Sequence, residues 1–350
     1  MPRILFVPVS GPYGMGEYAR CAAIAAAVQR RWPAAAVQFV LSRAAPYAAS
    51  APFPTTLLPT SATFQSAAVA RVLETWRPQV VVFDNAGRTA QLRAARRAGA
   101  RVVYVSARRR QRSKAFRLRW MRMIDEHWIA YPEFIAGTLS AIERLKLRLL
   151  RRPTVRYLDV ICSRPTPEQR AALMSHAGRT PGAYVLVVPG GGTGHPGAEE
   201  AAGQFLAAAR RLAAVGIPTV FVGPASPAAP ESPGLRLTGA LPQSDLAGFM
   251  SGARLVITNG GSTLLQAIAG GAACVAVPIA RDQIGRIRRC VRAAVAMDAA
   301  LDAASIVERA FSLWNDEEAR AALAQRAAGL GLADGIEVAV GALGKLLEST

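Results

Sequence analysis

The sequence predicts an α/β protein of two doubly wound domains, each a parallel sheet with helices on both faces. Two observations carry this. Apolar runs of strand length alternate with helix-length segments along the chain. Glycine-rich loops that follow a strand and open a helix occur in both halves. At 350 residues, 51% of them hydrophobic and 7% aromatic, the chain is long enough for two cores rich in Ala, Val and Leu.

The elements follow in order. Arg3–Ser10 reads as a strand, Glu17–Arg31 as a helix and Val37–Leu41 as a strand. A loop rich in Pro, Ala, Ser and Thr is expected over residues 44–63. A helix near Ala67–Thr75, the strand Val80–Phe83, a helix near Thr89–Arg97 and the strand Arg101–Ser106 come next. Ser163-Arg164-Pro165-Thr166-Pro167 interrupts the alternation, which sets domains at 1–163 and 164–350. The second set comprises the strands Tyr184–Val188, Thr219–Val222, Arg254–Ile257 and Ala273–Val277, with Pro278 ending the last. Helices are expected from Gln283 to the C-terminus.

Thr258-Asn259-Gly260-Gly261-Ser262-Thr263-Leu264-Leu265-Gln266 is the most informative stretch. Gly260 and Gly261 allow close approach of a ligand to the backbone, and Ser262 or Thr263 can cap the helix that follows. A helix N-terminus there favours phosphate. Asp282 and Gln283 come just after the next strand, at its carboxyl end, where open α/β sheets bind ligands. The spacing suits a nucleotide-sugar, with phosphates at the helix start and sugar hydroxyls on Asp282 and Gln283.

These residues resemble the donor-binding segment of GT-B glycosyltransferases, in the family 28-like branch that contains the peptidoglycan-precursor N-acetylglucosaminyltransferase. Gly260-Gly261-Ser262-Thr263-Leu264 is also similar to the nucleotide-sugar hydrolase of the pseudaminic acid pathway. The resemblance implies two Rossmann-like domains facing a cleft, with the acceptor on the first and the donor on the second. It implies that Gln266 stands where the family's glutamate grips the ribose hydroxyls. An amide still hydrogen-bonds a diol, but without charge assistance.

Two further loops carry candidate chemistry. Gly190-Gly191-Gly192-Thr193-Gly194-His195 lets several backbone N–H groups converge on a phosphate. No Gly-Lys-Ser/Thr follows, so it is not a P-loop. It resembles the Gly-Gly-Ser-x-Gly loop that meets the diphosphate in the same branch, and His195 reads either as a phosphate or sugar contact or as a plain loop histidine. In the first domain, Gly11-Pro12-Tyr13-Gly14-Met15-Gly16-Glu17-Tyr18-Ala19-Arg20-Cys21 resembles the Gly-x-Gly-His-x-x-Arg-Cys loop of the hydrolase. There Gly14, Gly16 and Arg20 form the acceptor loop, and Glu17 occupies the position of the proposed base. A carboxylate can act as a general base; a first-turn acid that complements the helix dipole is the other reading of Glu17. Asp84, at the end of Val80–Phe83, is a second candidate base or else a helix cap.

The net charge is +19, which implies attraction to something anionic or an arginine-rich genomic bias. The charge concentrates in residues 107–123. Phe116, Trp120, Met123, Ile124 and His127 fall at helical spacing, flanked by Arg112, Arg117, Arg119 and Arg122. Such a helix suits an anionic membrane surface and a lipid-linked acceptor, or else packs its apolar face on the sheet. No recognition motif accompanies the charge, so nucleic acid is not the expected partner.

Four widely spaced cysteines lack metal-ligand spacing and read as reduced thiols of a cytoplasmic protein, peripheral on the inner membrane if it engages one. The N-terminal apolar run stops at Gly11-Pro12, unlike a signal peptide. No Asp-x-Asp motif is present, so no metal or cofactor is expected and the nucleotide-sugar enters as substrate.

The first function expected is inverting, metal-independent sugar transfer from a nucleotide-sugar, UDP-linked, to a hydroxyl on a lipid-linked or glycan acceptor. A nucleotide-sugar hydrolase and a non-catalytic nucleotide-sugar-binding or partner subunit stand beside it.

Overall fold

The computed structural model describes residues 1–162, 165–176, 178, 180–190, 198–223 and 233–348. The chain forms two compact units, Met1–Ile161 with Ala333–Thr350, and Cys162–Leu332. The sequence places one boundary near 163; the structure adds a return of the last helix to the first unit. The cause is apolar: Ile336, Ala339, Val340 and Leu343 join the core beneath the first helix.

The first unit is a seven-stranded, all-parallel sheet. Its strands are β1 (Arg3–Pro8), β2 (Ala36–Ser42), β3 (Thr55–Leu58), β4 (Val80–Asp84), β5 (Arg101–Ser106), β6 (Glu126–Ile129) and β7 (Thr154–Tyr157), in the order β3-β2-β1-β4-β5-β6-β7. Its helices are α1 (Gly16–Arg31), α2 (Ser66–Trp76), α3 (Thr89–Arg97), α4 (Arg109–Ala115), α5 (Leu118–Met121), α6 (Glu133–Ala136) and α7 (Ala141–Leu150). Alternate residues of the strands feed two cores, one on each face. Ile4, Phe6, Val80 and Val82 meet α1; Leu5, Val7, Val81 and Phe83 meet the α2–α3 face.

The second unit holds α8 (Pro167–His176), β8 (Val185–Val188), α9 (Ala198–Ala214), β9 (Thr219–Val222), β10 (Leu235–Thr238), α10 (Gln243–Gly252), β11 (Leu255–Asn259), α11 (Ser262–Ala269), β12 (Ala273–Val277), α12 (Arg281–Arg292), β13 (Met297–Asp298), α13 (Ala303–Asn315) and α14 (Glu317–Gly329). The last helix, α15 (Gly335–Glu348), belongs to the first unit. The second sheet is parallel in the order β10-β9-β8-β11-β12-β13. In both sheets chain order reverses once, between β1 and β4 and between β8 and β11. Such reversal points, at the strands' carboxyl ends, are where open α/β sheets bind ligands.

The stretch expected to be helical from Gln283 onward contains the short strand β13, paired to β12, and two other regions also differ from the sequence expectation. The loop expected over 44–63 contains the edge strand β3, paired to β2 with Phe39 opposite Thr55. Pro54 and Pro59 flank it, and proline is tolerated at an edge. The amphipathic helix expected over 107–123 is two short helices, α4 and α5. Its apolar face is not a surface. Phe116 and Trp120 are buried, and Trp120, Ile124 and the partly buried Met123 pack into the core against Tyr104. Trp120 also donates to Thr89 Oγ1 at 3.1 Å. His127 lies on β6 instead, fully buried. Arg112 is buried too, with its guanidinium on Glu143 and on the carbonyls of Ala136, Gly137 and Thr138. Arg119 and Arg122 remain exposed.

Candidate active site

The first unit gathers its polar residues at the β1/β4 switch point. After β1 the chain runs through Gly11–Met15 into α1, which starts without a side-chain cap. Gly14 takes φ +75, a left-handed conformation that a side chain resists, and Gly16 opens the helix. Glu17, in the first turn, is half-buried and carries its carboxylate to Asn85, whose Nδ2 donates to Oε1 at 2.8 Å.

Asn85 is the residue that sequence reasoning missed. It follows β4 in a left-handed conformation (φ 51), which asparagine tolerates better than most residues. Its N–H donates to the Val105 carbonyl and its Oδ1 accepts from Ala107 N, both at 2.9 Å. The side chain thus bridges the ends of β4 and β5 to the first turn of α1. Its place in Asp84-Asn85-Ala86-Gly87 was the available signal.

Two predicted residues have other work. Arg20 Nε and Nη2 donate to Asp84 Oδ2 and Oδ1 at 2.7 and 2.8 Å, with both side chains buried. The Cys21 thiol also faces Asp84 Oδ2, at 3.7 Å. Burial pushes the Asp84 carboxyl up, to about 6, while Arg20 pulls it down. The same contact holds Arg20 well above its ordinary value. The two directions conflict for Asp84. Paired charge-assisted bonds at these lengths favour the ionised pair, so Asp84 is a carboxylate at neutral pH. With both oxygens occupied it is not placed to act as a base, nor does it cap a helix, since α3 is capped at Arg88. Arg20 likewise is spent on fastening α1 to β4.

Beside Glu17, Tyr47 stacks on Tyr18 with ring centroids 4.3 Å apart. Burial and then Glu17 push the Tyr47 hydroxyl up to about 12, which leaves it a neutral donor.

In the second unit the β11–α11 turn is braced from beneath. Asn259 Nδ2 donates to the Pro189 carbonyl, and its Oδ1 accepts from Gly261 N, each at 2.7 Å. One buried side chain therefore ties the loop after β8 to the turn after β11. Gln283 Oε1 accepts from Gly260 N at 3.2 Å and from Ile279 N at 3.0 Å. Arg286 donates to the Gly260 carbonyl. A Cβ at Gly260 would stand 2.7 Å from Ile287 and 2.9 Å from the Gln283 side chain, and one at Gly190 would stand 1.9 Å from Asn259 Nδ2. These glycines are required by the fit of the braces.

Asn259 and Gln283 were expected to touch the donor. The structure gives their oxygens, and the Asn259 amide, to backbone partners, so they position the turn. Capping differs as well: Gly261 is the N-cap of α11 and offers no side-chain cap, while Ser262 and Thr263 begin the helix. Ser262 is exposed; Thr263 and Gln266 are half-buried on α11. Asp282 is 66% exposed in the first turn of α12, in a loose ion pair with Arg286 at 3.7 Å. Gly191, Gly192, Thr193, Gly194 and His195 lie outside the described residues.

No family model and no curated protein matches the chain in sequence. Solved structures do match its fold. The spinosyn forosaminyltransferase SpnP has a TM-score of 0.68 at 14% identity, over 99% of both chains. The spinosyn rhamnosyltransferase SpnG has 0.62 at 19% identity, over 100% of both. A putative UDP-N-acetylglucosamine 2-epimerase from Listeria monocytogenes has 0.60 at 14% identity, over 97% of this chain and 94% of that one. With two parallel Rossmann-like sheets of seven and six strands, the chain has the GT-B fold.

Proposed function

We propose that this protein transfers a sugar from a nucleotide-sugar, UDP-linked, to an acceptor hydroxyl. The observation that carries the reading is the braced turn at Gly260-Gly261, which opens α11 without a side-chain cap. The first N–H groups of a helix lack intrahelical partners, and a diphosphate satisfies them with charge of the favoured sign. The glycosyltransferases among the fold's neighbours, two of them named above and another the calicheamicin glycosyltransferase CalG4, favour the same chemistry.

In this reading Glu17 takes the proton of the acceptor hydroxyl. The acceptor oxygen attacks the anomeric carbon, the carbon–oxygen bond to the diphosphate breaks, and its electron pair leaves on the phosphate oxygen. Attack opposite the leaving group inverts the anomeric centre. The amides at the start of α11 stabilise the departing charge, so the step needs no metal. Gln266 and Asp282 take donor hydroxyls, and the acceptor is a lipid-linked or glycan alcohol at the cytoplasmic face of a membrane.

The test is nucleotide diphosphate release from a panel of nucleotide-sugars, with and without a bacterial lipid extract. Extract-dependent release, lost by about 10²–10⁴-fold in Glu17→Gln, is the expected result. Release without any acceptor replaces transfer by hydrolysis. No release from any donor, with nucleotide binding retained, leaves a binding subunit, and an unimpaired Glu17→Gln protein removes the base.

A further inference from the structure

We propose that α7 is a membrane-docking helix whose exposed face lies on anionic phospholipid. Ile142, Leu145 and Leu149 are 66%, 54% and 73% exposed. Their spacing of i, i+3 and i+7 puts them on one side of α7 as a continuous apolar stripe. None of the ten residues of α7 is buried. Scattered exposed leucines need no explanation, but three aligned on one helix do.

The helix is held firmly enough to present that stripe. Ser140 caps it in a reciprocal capping box with Glu143. Glu143 also pairs with Arg112 at 2.8 Å, and Lys146 donates to the Phe116 carbonyl at 3.1 Å. These contacts fix which side of α7 faces inward, so the stripe faces solvent by construction.

Charge selects the occupant. Residues 139–152 contain five cations, Arg144, Lys146, Arg148, Arg151 and Arg152, and one acid, Glu143. That acid is spent on Arg112. Arg144, Arg148 and Arg151 form no ion pair among the described residues, and Arg144 and Arg148 flank the stripe. Arg144 donates to the Leu139 carbonyl but has no acidic partner among the described residues, and an apolar stripe bordered by such arginines matches the acyl boundary and headgroups of an anionic bilayer. No helix among the described residues is long and apolar enough to cross a membrane, so the contact lies in the interface plane. The inference does not depend on sugar transfer, and its readout is binding alone.

The experiment is co-sedimentation of the full chain with phosphatidylcholine vesicles, with and without one-third phosphatidylglycerol. Binding is expected on the mixed vesicles at low salt, with release as salt rises. The triple substitution Ile142→Ser, Leu145→Ser, Leu149→Ser should weaken it at least about tenfold. Arg144→Gln and Arg148→Gln should each cost up to about fivefold. All five positions are exposed, so circular dichroism and melting temperature should stay at wild-type values. Absence of binding to the mixed vesicles at low salt overturns the proposal. Equal binding by the triple variant overturns it too. Self-association that the triple variant abolishes, without vesicle binding, assigns the stripe to a second copy of the chain and equally overturns it.

Discussion

Replacing Asn85 by Asp asks directly whether Glu17 is the working carboxylate. The amide donates to Glu17 Oε1 at 2.8 Å, so the substitution sets two carboxylates in contact. Two unit charges about 4 Å apart repel by about 4 kcal/mol at an effective dielectric near 20. That corresponds to about 3 pH units of displacement as an upper bound, at about 1.4 kcal/mol per unit. Glu17 is half-exposed and faces the field of Arg20, both of which reduce the effect. The acid limb of the pH–rate profile should therefore move up by about 1–2 units, with kcat lowered and donor KM unchanged. Stability provides a readout independent of turnover. The carboxylate pair's folded-state proton affinity rises above its unfolded value, so the variant binds more protons when native. Its deficit against wild type is then present above pH ~5 and relieved on acidification. Pairing thermal melts of both proteins from acid to neutral pH with the rate profile completes the assay. A stability difference that ignores pH would mean the contact does not exist. A pH-dependent difference with an unmoved acid limb would retain the contact and remove Glu17 as base.

The β11–α11 turn and the buried histidine give three more tests. Asn259→Ala strands the Pro189 carbonyl and the Gly261 N–H, at about 1–3 kcal/mol each, and should lower both the urea midpoint and nucleotide affinity. Unchanged affinity would separate the brace from donor binding. Gly260→Ala forces a methyl to 2.7 Å from Ile287 and should cost about 1–3 kcal/mol in urea unfolding, with nucleotide binding falling alongside. His127 is fully buried with Nε2 on Ser106 Oγ at 2.8 Å, and burial depresses it from 6.5 to about 3. The native state thus binds fewer protons, so stability holds above pH ~6.5 and falls by up to about 1.4 kcal/mol per unit below it. His127→Gln keeps the contact to Ser106 and should flatten this slope; an equally steep acid loss would place its cause in other groups.

Legibility in the sequence followed local physics. β1, β4, β5, β9 and β12 are continuous apolar runs because parallel strands bury both faces, and such runs can be read directly. β3 is four residues between prolines and looks like loop. β6 was obscured by period: Phe116, Trp120, Met123 and His127 sit at helical spacing, yet the chain straightens before Glu126. All four are at least partly buried on the sheet, so a match to helical spacing reflected a common destination and not a common helix. The exposed stripe lay one segment further on, in α7, where Ile142, Leu145 and Leu149 resemble any core-facing set until burial is known.

The site shows the same division between backbone and side chains. Glycine positions were legible because a missing Cβ is a constraint written into one residue, as at Gly260 and Gly190. Pairings were not, because they join residues far apart in sequence: Glu17 with Asn85, Arg20 with Asp84, Asn259 with Pro189. Reading by residue type alone gives every polar side chain near a strand end to the ligand. Yet a crevice at a switch point leaves backbone groups exposed where loops diverge, and buried ones must find partners. Asn259 and Gln283 meet that need, while Arg20 and Asp84 are spent on each other. Among the described residues, those not spent on such contacts are, in the second unit, Ser262, the exposed Asp282 and the first amides of α11, while in the first unit Glu17 keeps one carboxylate oxygen beyond its bond to Asn85. If α11 binds the donor as proposed, its backbone would grip phosphate and leave discrimination between sugars to few side chains. Substitutions among Ser262, Gln266 and Asp282 should therefore alter donor choice with little loss of stability, whereas substitutions among the braces should reduce affinity for every donor alike.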